Sequence, residues 1–577
     1  MILQALNDYY LRKSRDPDSR LPQPGFEWKG IDYILLLDKA GGLIDIQGNR
    51  DQQGAKWVAR QHLVPQAVKK TSGIAANLLW DNPEYVLGLE QKGKPERTAK
   101  AHAAFIERIR NELPQEDEGV VAVLRFLDRL DLNGLERFAA WEGLSQSTGN
   151  ITFRLQNDAG LVCQRNSVTD EIEAGWKSRG DGEFHLCPVS GEMDQTVRLH
   201  PAIKGVWGAQ SSGANIVSSN LNAFNSRGKE QGFNASVGKQ AAFAYTTALN
   251  HLLRRESRQR LQIGDASAVF WAEKGSPLED DFVTIFGESA KSDDPDLNTR
   301  KVRELYRAVE TGGYTEEDDT NRFHVLGLAP NAARISVRFW EVATVRELSK
   351  RIKQHFDDLT IAHAPYEPPY PSLFRLLVHT AVQGKADNIP PNLGGELMRA
   401  VLTGRLYPQT LLQAAVRRNR AERTIDYYRA ALIKAVLNRQ HRTHHNIEKE
   451  ITVALDPENT DTGYRLGRLF AVLERIQQEA QGDINATIRD KFYGSASSSP
   501  LSVFSNLIKL KNHHLAKIKT EKPGLVIYYE NLVGKIIDGL EQFPAQMTLA
   551  EQGLFAIGYY HQRQDFFKGN QTQEKGE

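Results

Sequence analysis

Two cysteines among 577 residues, Cys163 and Cys187, are too few for a disulfide framework and suit a reducing compartment. Long apolar runs are missing as well. No segment approaches the roughly 18 residues a membrane helix needs, so a spanning protein is not expected. The opening MILQALNDYYLRKSRD turns charged too early for a secretion signal. Together these absences predict a cytoplasmic protein. An excess of one charge sign is lacking too, because 73 Lys and Arg nearly cancel 72 Asp and Glu. Net charge therefore names no partner, and any attraction to nucleic acid has to come from local arrangement.

Signatures of common enzymes are also absent. GFNASVGK, from Gly232 to Lys239, is close to a phosphate loop but has one residue too many between its glycines. Gln240 then stands where a Mg²⁺-binding Ser or Thr belongs. His441, His444 and His445 have no carboxylate placed as in a zinc-protease helix, and a solvated helix end explains them. His185, Cys187 and His200 lack zinc-ligand spacing. The acidic clusters at Asp280, Asp281 and at Glu316 to Asp319 lie in polar, loop-like sequence, where solvated charge is the ordinary reading. No nucleophile constellation stands out. The expectation is a protein that is not an enzyme, with no metal and no cofactor.

What is present reads as globular, with 40% hydrophobic and 25% charged residues, and the length calls for about three or four domains. YILLL, from Tyr33 to Leu37, the turn signal Gly41 and Gly42, and LIDI together predict a hairpin. HVLGLAPNAARISVRFW, from His324 to Trp340, predicts a second strand pair around Pro330 and Asn331. Between them SAKSDDPDLNTRK, near Ser289 to Lys301, has the composition of a mobile surface loop. After about residue 345 punctuation thins and helical periodicity takes over. The class is α+β: a mixed α/β N-terminal half with short strands, then an all-α C-terminal helical bundle. The expected regions are 1–345, an α+β part; 346–452, a basic helical part; and 453–577, a helical bundle.

One stretch concentrates small hydrogen-bonding side chains: IKGVWGAQSSGANIVSSNLNAFNSRGKEQGFN, from Ile203 to Asn234. Glycines allow close backbone approach, and Asn, Gln and Ser carry donors and acceptors on short stems. Such groups can read base edges, with Lys204, Arg227, Lys229 and Lys239 on phosphates. The plain alternative is a turn region whose side chains cap their own backbone. The candidates for duplex contact are Gln210, Ser212, Asn215, Ser218, Asn220 and Asn222, with Lys204 and Lys229. A second candidate patch is VKKTSGIAANLLWDN, through Lys69, Lys70 and Asn77, where Trp80, Asp81 and Tyr85 read as packing and capping residues. Two helices add basic stripes. In TGYRLGRLFAVLERIQQEAQ the apolar positions Leu466, Leu469, Phe470, Leu473 and Ile476 share a face, with Arg465, Arg468 and Arg475 on the polar side. After SASSSP, where Ser499 and Pro500 start a helix, Lys509, His513 and Lys517 recur at i, i+4, i+8. Either stripe can track a phosphate backbone or be plain solvated surface. The arginine-rich segment from Ala414 to Arg442 leaves the same two readings open.

HPAIKGVWGAQSSGANIVSSNLNAFNSRGKEQGFNASVGKQAAFAYTTALNHLL, TSGIAANLLWDNPEYVLG, MILQALNDYYLRK and TGYRLGRLFAVLERIQ together resemble the large subunit of type I-C CRISPR surveillance (Cascade) complexes. The resemblance covers most of the chain. It implies assembly with CRISPR RNA, backbone subunits and a helical small subunit, recognition of the short motif beside the target (the PAM) in double-stranded DNA, help in opening the duplex and holding the displaced single strand of the R-loop, and recruitment of a separate helicase-nuclease. It also implies that the small subunit arises from within the same gene; the sequence sets the boundary near Val453, where the Arg/His-rich segment ends and Pro457 and Asn459 interrupt the pattern. Internal methionines stand only at Met193, Met398 and Met547, so that start requires a GUG valine codon. A scaffold that does not touch DNA and a nuclease are the competing functions.

Overall fold

The computed structural model describes residues 1–54, 56–68, 73–91, 93–178, 184–287, 296–313, 315–444, 449–482 and 484–573. They form two compact units. Leu3–Pro201 with Val217–Ala248 makes the first, and Ala202–Ile216 with Leu249–Glu577 the second.

The first unit carries β1 (Phe26–Ile31), β2 (Tyr33–Leu37), β3 (Leu43–Gly48), β4 (Arg50–Gln53), β5 (Lys56–Pro65), β6 (Trp80–Asp81), β7 (Ile151–Leu155), β8 (Phe184–Leu186) and β9 (Met193–Gln195). A mixed sheet runs β3-β2-β7-β6, with β2 parallel to β7; a second, antiparallel sheet runs β1-β5-β4; β8 and β9 form a hairpin. The hairpin expected from YILLL and LIDI is β2–β3. Its turn needs Gly41 at φ +86°, and the Asp38 carboxylate accepts the N–H groups of Ala40 and Gly42, both at 2.8 Å. β2 is apolar at consecutive positions because it is central. Leu35 and Leu37 share a core with Phe153 on β7 and with Phe105, Ile109, Val120 and Val123 on the helices Pro95–Glu112 and Glu118–Asp128. Each such side chain contributes about 1.5–3 kcal/mol on burial.

The second unit holds β10 (Arg260–Ile263), β11 (Ala266–Ala272), β12 (Arg322–Asn331) and β13 (Arg334–Thr344) as an antiparallel sheet in that order. The strand pair expected around Pro330 and Asn331 is β12–β13. Thr344 ends β13 and caps the helix Val345–Leu359: its hydroxyl accepts the Glu347 N–H at 3.2 Å, and the Glu347 carboxylate accepts the Thr344 N–H. Among the described residues no strand follows Thr344, and the class is α+β. Residue 345 is thus where strand gives way to helix, inside one core. That core runs from Phe270 and Phe323 through Leu348 and Ile352 to Leu432, Phe470 and Phe555, and passes position 452 without a break. Of the segment expected as a loop near 289–301, residues 289–295 lie outside the described ones and the chain is helical from Leu297 to Thr311.

The arginine-rich segment from Ala414 to Arg442 resolves into the end of the helix Gln409–Glu422, where Arg417 and Arg420 are exposed, and the helix Tyr427–Thr443, which is buried on nearly every side. Arg439 reaches Asp358 through two nitrogens at 2.8 and 2.6 Å, and Arg442 joins Asp358 to Glu450. These arginines are structural, since buried charge is tolerated when it is paired and hydrogen-bonded. The helix Thr462–Gln481 then packs on Leu549–Gln573 at close range: a Cβ on Gly467 would stand 2.0 Å from the Phe555 carbonyl oxygen, and one on Gly463 2.5 Å from that of Glu551.

Candidate nucleic-acid interface

The amide-rich stretch is divided between the two units. Residues 202–216 belong to the second unit and 217–234 to the first. Lys204, Gln210, Ser212 and Asn215 therefore stand in one, and Ser218, Asn220, Asn222 and Lys229 in the other.

In the second unit the segment is a fastened loop. Ile203 and Ala214 exchange main-chain hydrogen bonds at 2.8 and 2.9 Å, closing its neck. The Lys204 N–H donates to Asn250 Oδ1 at 2.7 Å, the Trp207 N–H to Ser267 Oγ at 2.9 Å, and the Ile335 N–H to the Asn215 carbonyl at 3.0 Å. Gly205 at φ +87° and Gly213 at φ +93° make the bends, where a Cβ would meet the Leu253 and Ile203 carbonyl oxygens at 2.7 and 2.9 Å. Between these anchors Lys204, Gln210 and Ser212 are exposed. So is Trp207, at 63%, beside them. Sequence reasoning missed this residue: a lone tryptophan in a glycine-rich run reads as a core anchor, and only the Ser267 bond to its backbone shows which way the loop turns.

In the first unit, residues 221–230 are exposed without interruption. A tight turn at Arg227 and Gly228, both with positive φ, joins Ser226 to Lys229. Asn234 holds the base of the turn: its Oδ1 accepts the Ser226 N–H at 3.0 Å and its Nδ2 donates to the Lys229 and Gln231 carbonyls at 3.1 and 3.0 Å. Asn222 and Lys229 are presented to solvent on this support, and Ser218 is half-buried. No Asp or Glu stands between Asp194 and Glu230, so neither part of the stretch repels a phosphate from within.

The second candidate patch behaves differently. Lys69 and Lys70 lie outside the described residues. Asn77, expected within reach of a groove, is buried; its Oδ1 accepts the Val68 N–H at 3.0 Å and its N–H donates to Asp81 at 2.9 Å. It is a structural clamp, because a buried amide spends its bonds on the nearest main chain. Trp80, Asp81 and Tyr85 are packing and capping residues as expected: Trp80 Nε1 donates to the Pro65 carbonyl, and all three are buried.

The two helical stripes also part company. On Leu501–Lys519, Lys509, His513 and Lys517 are exposed, the helix contains no acidic residue, and no ion pair among the described residues uses any of the three. On Thr462–Gln481 the arginines do not form a solvent-facing row, which corrects that expectation. Arg468 is buried and donates to the Pro457 carbonyl at 2.9 Å and to Gln562; burial pushes its guanidinium below its usual value. Arg465 donates to the Asn459 and Gly539 carbonyls, and Arg475 pairs with Glu479 at 2.7 Å. This helix is the centre of the bundle, so its polar side meets neighbouring chain instead of water.

The exposed set is equipped to bind. It offers cations, amides and the aromatic side chains of Trp207 and Phe224, and among the described residues no group of three or more His, Cys, Asp or Glu is placed to hold a metal ion. Nor is any described helix long and apolar enough to cross a membrane. A family model described as "CRISPR-associated protein (Cas_Csd1)" matches residues 6–567. No curated protein matches the chain.

Proposed function

We propose that this chain, which belongs to the CRISPR-associated Cas_Csd1 family, is the large subunit of a type I-C RNA-guided surveillance complex. In that role it recognises the PAM in target double-stranded DNA, assists duplex opening and R-loop stabilisation, and recruits a separate helicase-nuclease. The observation that carries the DNA-contact part is the fastened, carboxylate-free loop 202–216, which presents Lys204, Trp207, Gln210 and Ser212 on main-chain anchors. In RNA-guided recognition base pairing reads the sequence, so the protein needs only a few base-edge donors and phosphate contacts. A rigid neck keeps the entropy cost of that contact low. The exposed Lys509, His513 and Lys517 row supplies a second, sequence-independent phosphate track.

The test is binding of the assembled complex to duplexes randomised beside the target. Gln210→Ala with Asn215→Ala and Asn220→Ala should leave the RNA-containing complex assembled and weaken PAM-dependent binding, since one good base-edge contact is worth about 1–3 kcal/mol. A scaffold that never touches DNA predicts complexes of unchanged DNA affinity.

A further inference from the structure

The β8–β9 hairpin turns one apolar face to solvent. Leu186 stands opposite Met193, and alternation puts Phe184 on the same face as Leu186. All three are exposed, at 61% for Phe184, 64% for Leu186 and 62% for Met193. The hairpin is held firmly from behind. Asp194, on the other face, accepts the Gln240 N–H at 2.8 Å; Cys187 Sγ accepts the Gly238 N–H at 3.2 Å; and the Cys187 N–H closes the turn on the Glu192 carbonyl at 2.9 Å. A rigid support that presents Phe, Leu and Met to water is the opposite of what folding alone favours. Among the described residues no strand pairs with the outer edge of β8. Because Cys187 points its N–H at β9, antiparallel alternation turns the main-chain groups of Phe184 and Leu186 toward that open edge.

We propose that this face and edge dock a protein subunit of the RNA-guided complex, which lays an apolar surface and an extended segment against Phe184, Leu186 and Met193. This rests on the assignment of the chain to such a complex. Charge chooses the class of occupant. The apolar face carries no cation, and the charged side chain at the turn, exposed Glu192, is a carboxylate that repels a phosphate backbone. Size argues against a second copy of this chain. The three side chains offer on the order of 300 Å², against the roughly 800 Å² per partner of a free-standing interface. A patch of that size holds a subunit already kept in place by other contacts. An open edge beside apolar pockets is the arrangement that strand addition uses.

The experiment places p-benzoylphenylalanine at position 184 in the full chain, co-expressed with the other subunits and CRISPR RNA. Light should give a covalent adduct identified by mass spectrometry as another protein subunit of the same complex. In parallel, Phe184→Ser with Leu186→Ser and Met193→Ser should lower the share of complexes carrying the large subunit at least tenfold, with the chain's thermal midpoint unchanged. An adduct to RNA or DNA, an adduct between two copies, or no adduct in a complex that does contain the chain overturns the docking assignment alone. If the unmodified chain never co-purifies with an RNA-containing complex, the functional reading falls and the docking assignment falls with it.

Discussion

At the scale of single residues, the same side-chain chemistry serves opposite ends according to what surrounds it. Arg468 and Lys517 both sit at polar positions of amphipathic helices, yet one is buried on carbonyl oxygens and the other is exposed. Periodicity gives an angle around the helix axis, which is why Lys509, His513 and Lys517 could be read from spacing alone. It does not say whether a neighbouring element covers that angle, and for Arg468 the segment at Pro457 and the helix bearing Gln562 do. The two sets should separate in experiment. Lys509→Ala with Lys517→Ala should weaken DNA binding across sequences and flatten the log-log salt slope by about one unit per lost phosphate contact. Arg468→Ala should lower the unfolding midpoint. An unchanged salt slope in the lysine variant would leave that row as solvated surface.

His355 shows the cost of complete burial. It bonds the Tyr407 hydroxyl at 2.7 Å, and burial, helped by the nearby Arg439 charge, pushes its pKa from 6.5 to about 3. The folded chain resists a proton that the unfolded chain accepts, so stability is full above pH 6.5 and falls as pH drops toward 3. The slope is up to about 1.4 kcal/mol per pH unit. Urea unfolding at pH 7 and pH 5 should show this loss, and His355→Gln should reduce it. Equal losses in both proteins would mean that other groups set the acid sensitivity.

At the scale of elements, both hairpins were legible because apolar runs met turn signals at Gly41, Gly42 and at Pro330, Asn331. The all-helical region after 345 was legible from its sustained 3.6-residue period. The closeness of Thr462–Gln481 to Leu549–Gln573 was not, since glycine inside a helix reads only as a weak helix former. Its reason is contact: a Cβ at position 467 runs into the Phe555 carbonyl. Gly467→Ala should cost about 1–3 kcal/mol through overpacking. On the helix Pro523–Asp538, by contrast, Gly534 has nothing within 4 Å of an added Cβ, so Gly534→Ala should stabilise by up to about 1 kcal/mol. Thermal midpoints that move in the same direction for the two variants would contradict the packing argument.

At the scale of the whole molecule, the class was plain in the sequence and the division of the candidate site was not. Composition gathered Lys204 to Lys229 into one stretch, but chain continuity does not decide which core a segment joins, and bonds to Asn250, Ser267 and Ile335 draw residues 202–216 into the second unit. The segment from Val453 onward raises a separate expectation, a small helical subunit translated from a GUG codon at Val453. Val453 is exposed, and the helices after it supply an aromatic cluster of their own around Phe470, Tyr493, Phe504 and Phe555. A C-terminally tagged gene should give a second, short band that a synonymous non-start valine codon removes. A single full-length band would confine these helices to the large subunit.

Contact between the loop 202–216 and the duplex beside the target can be read from the motif dependence of binding. Affinities of the assembled complex are compared for target duplexes with every sequence of the adjoining motif, using the unmodified chain and the variant Trp207→Ala with Gln210→Ala. The spread of affinities across motifs should narrow by tenfold or more in the variant, while binding to the fully paired guide region persists. An unchanged spread in a correctly assembled complex would mean that the loop does not touch the motif.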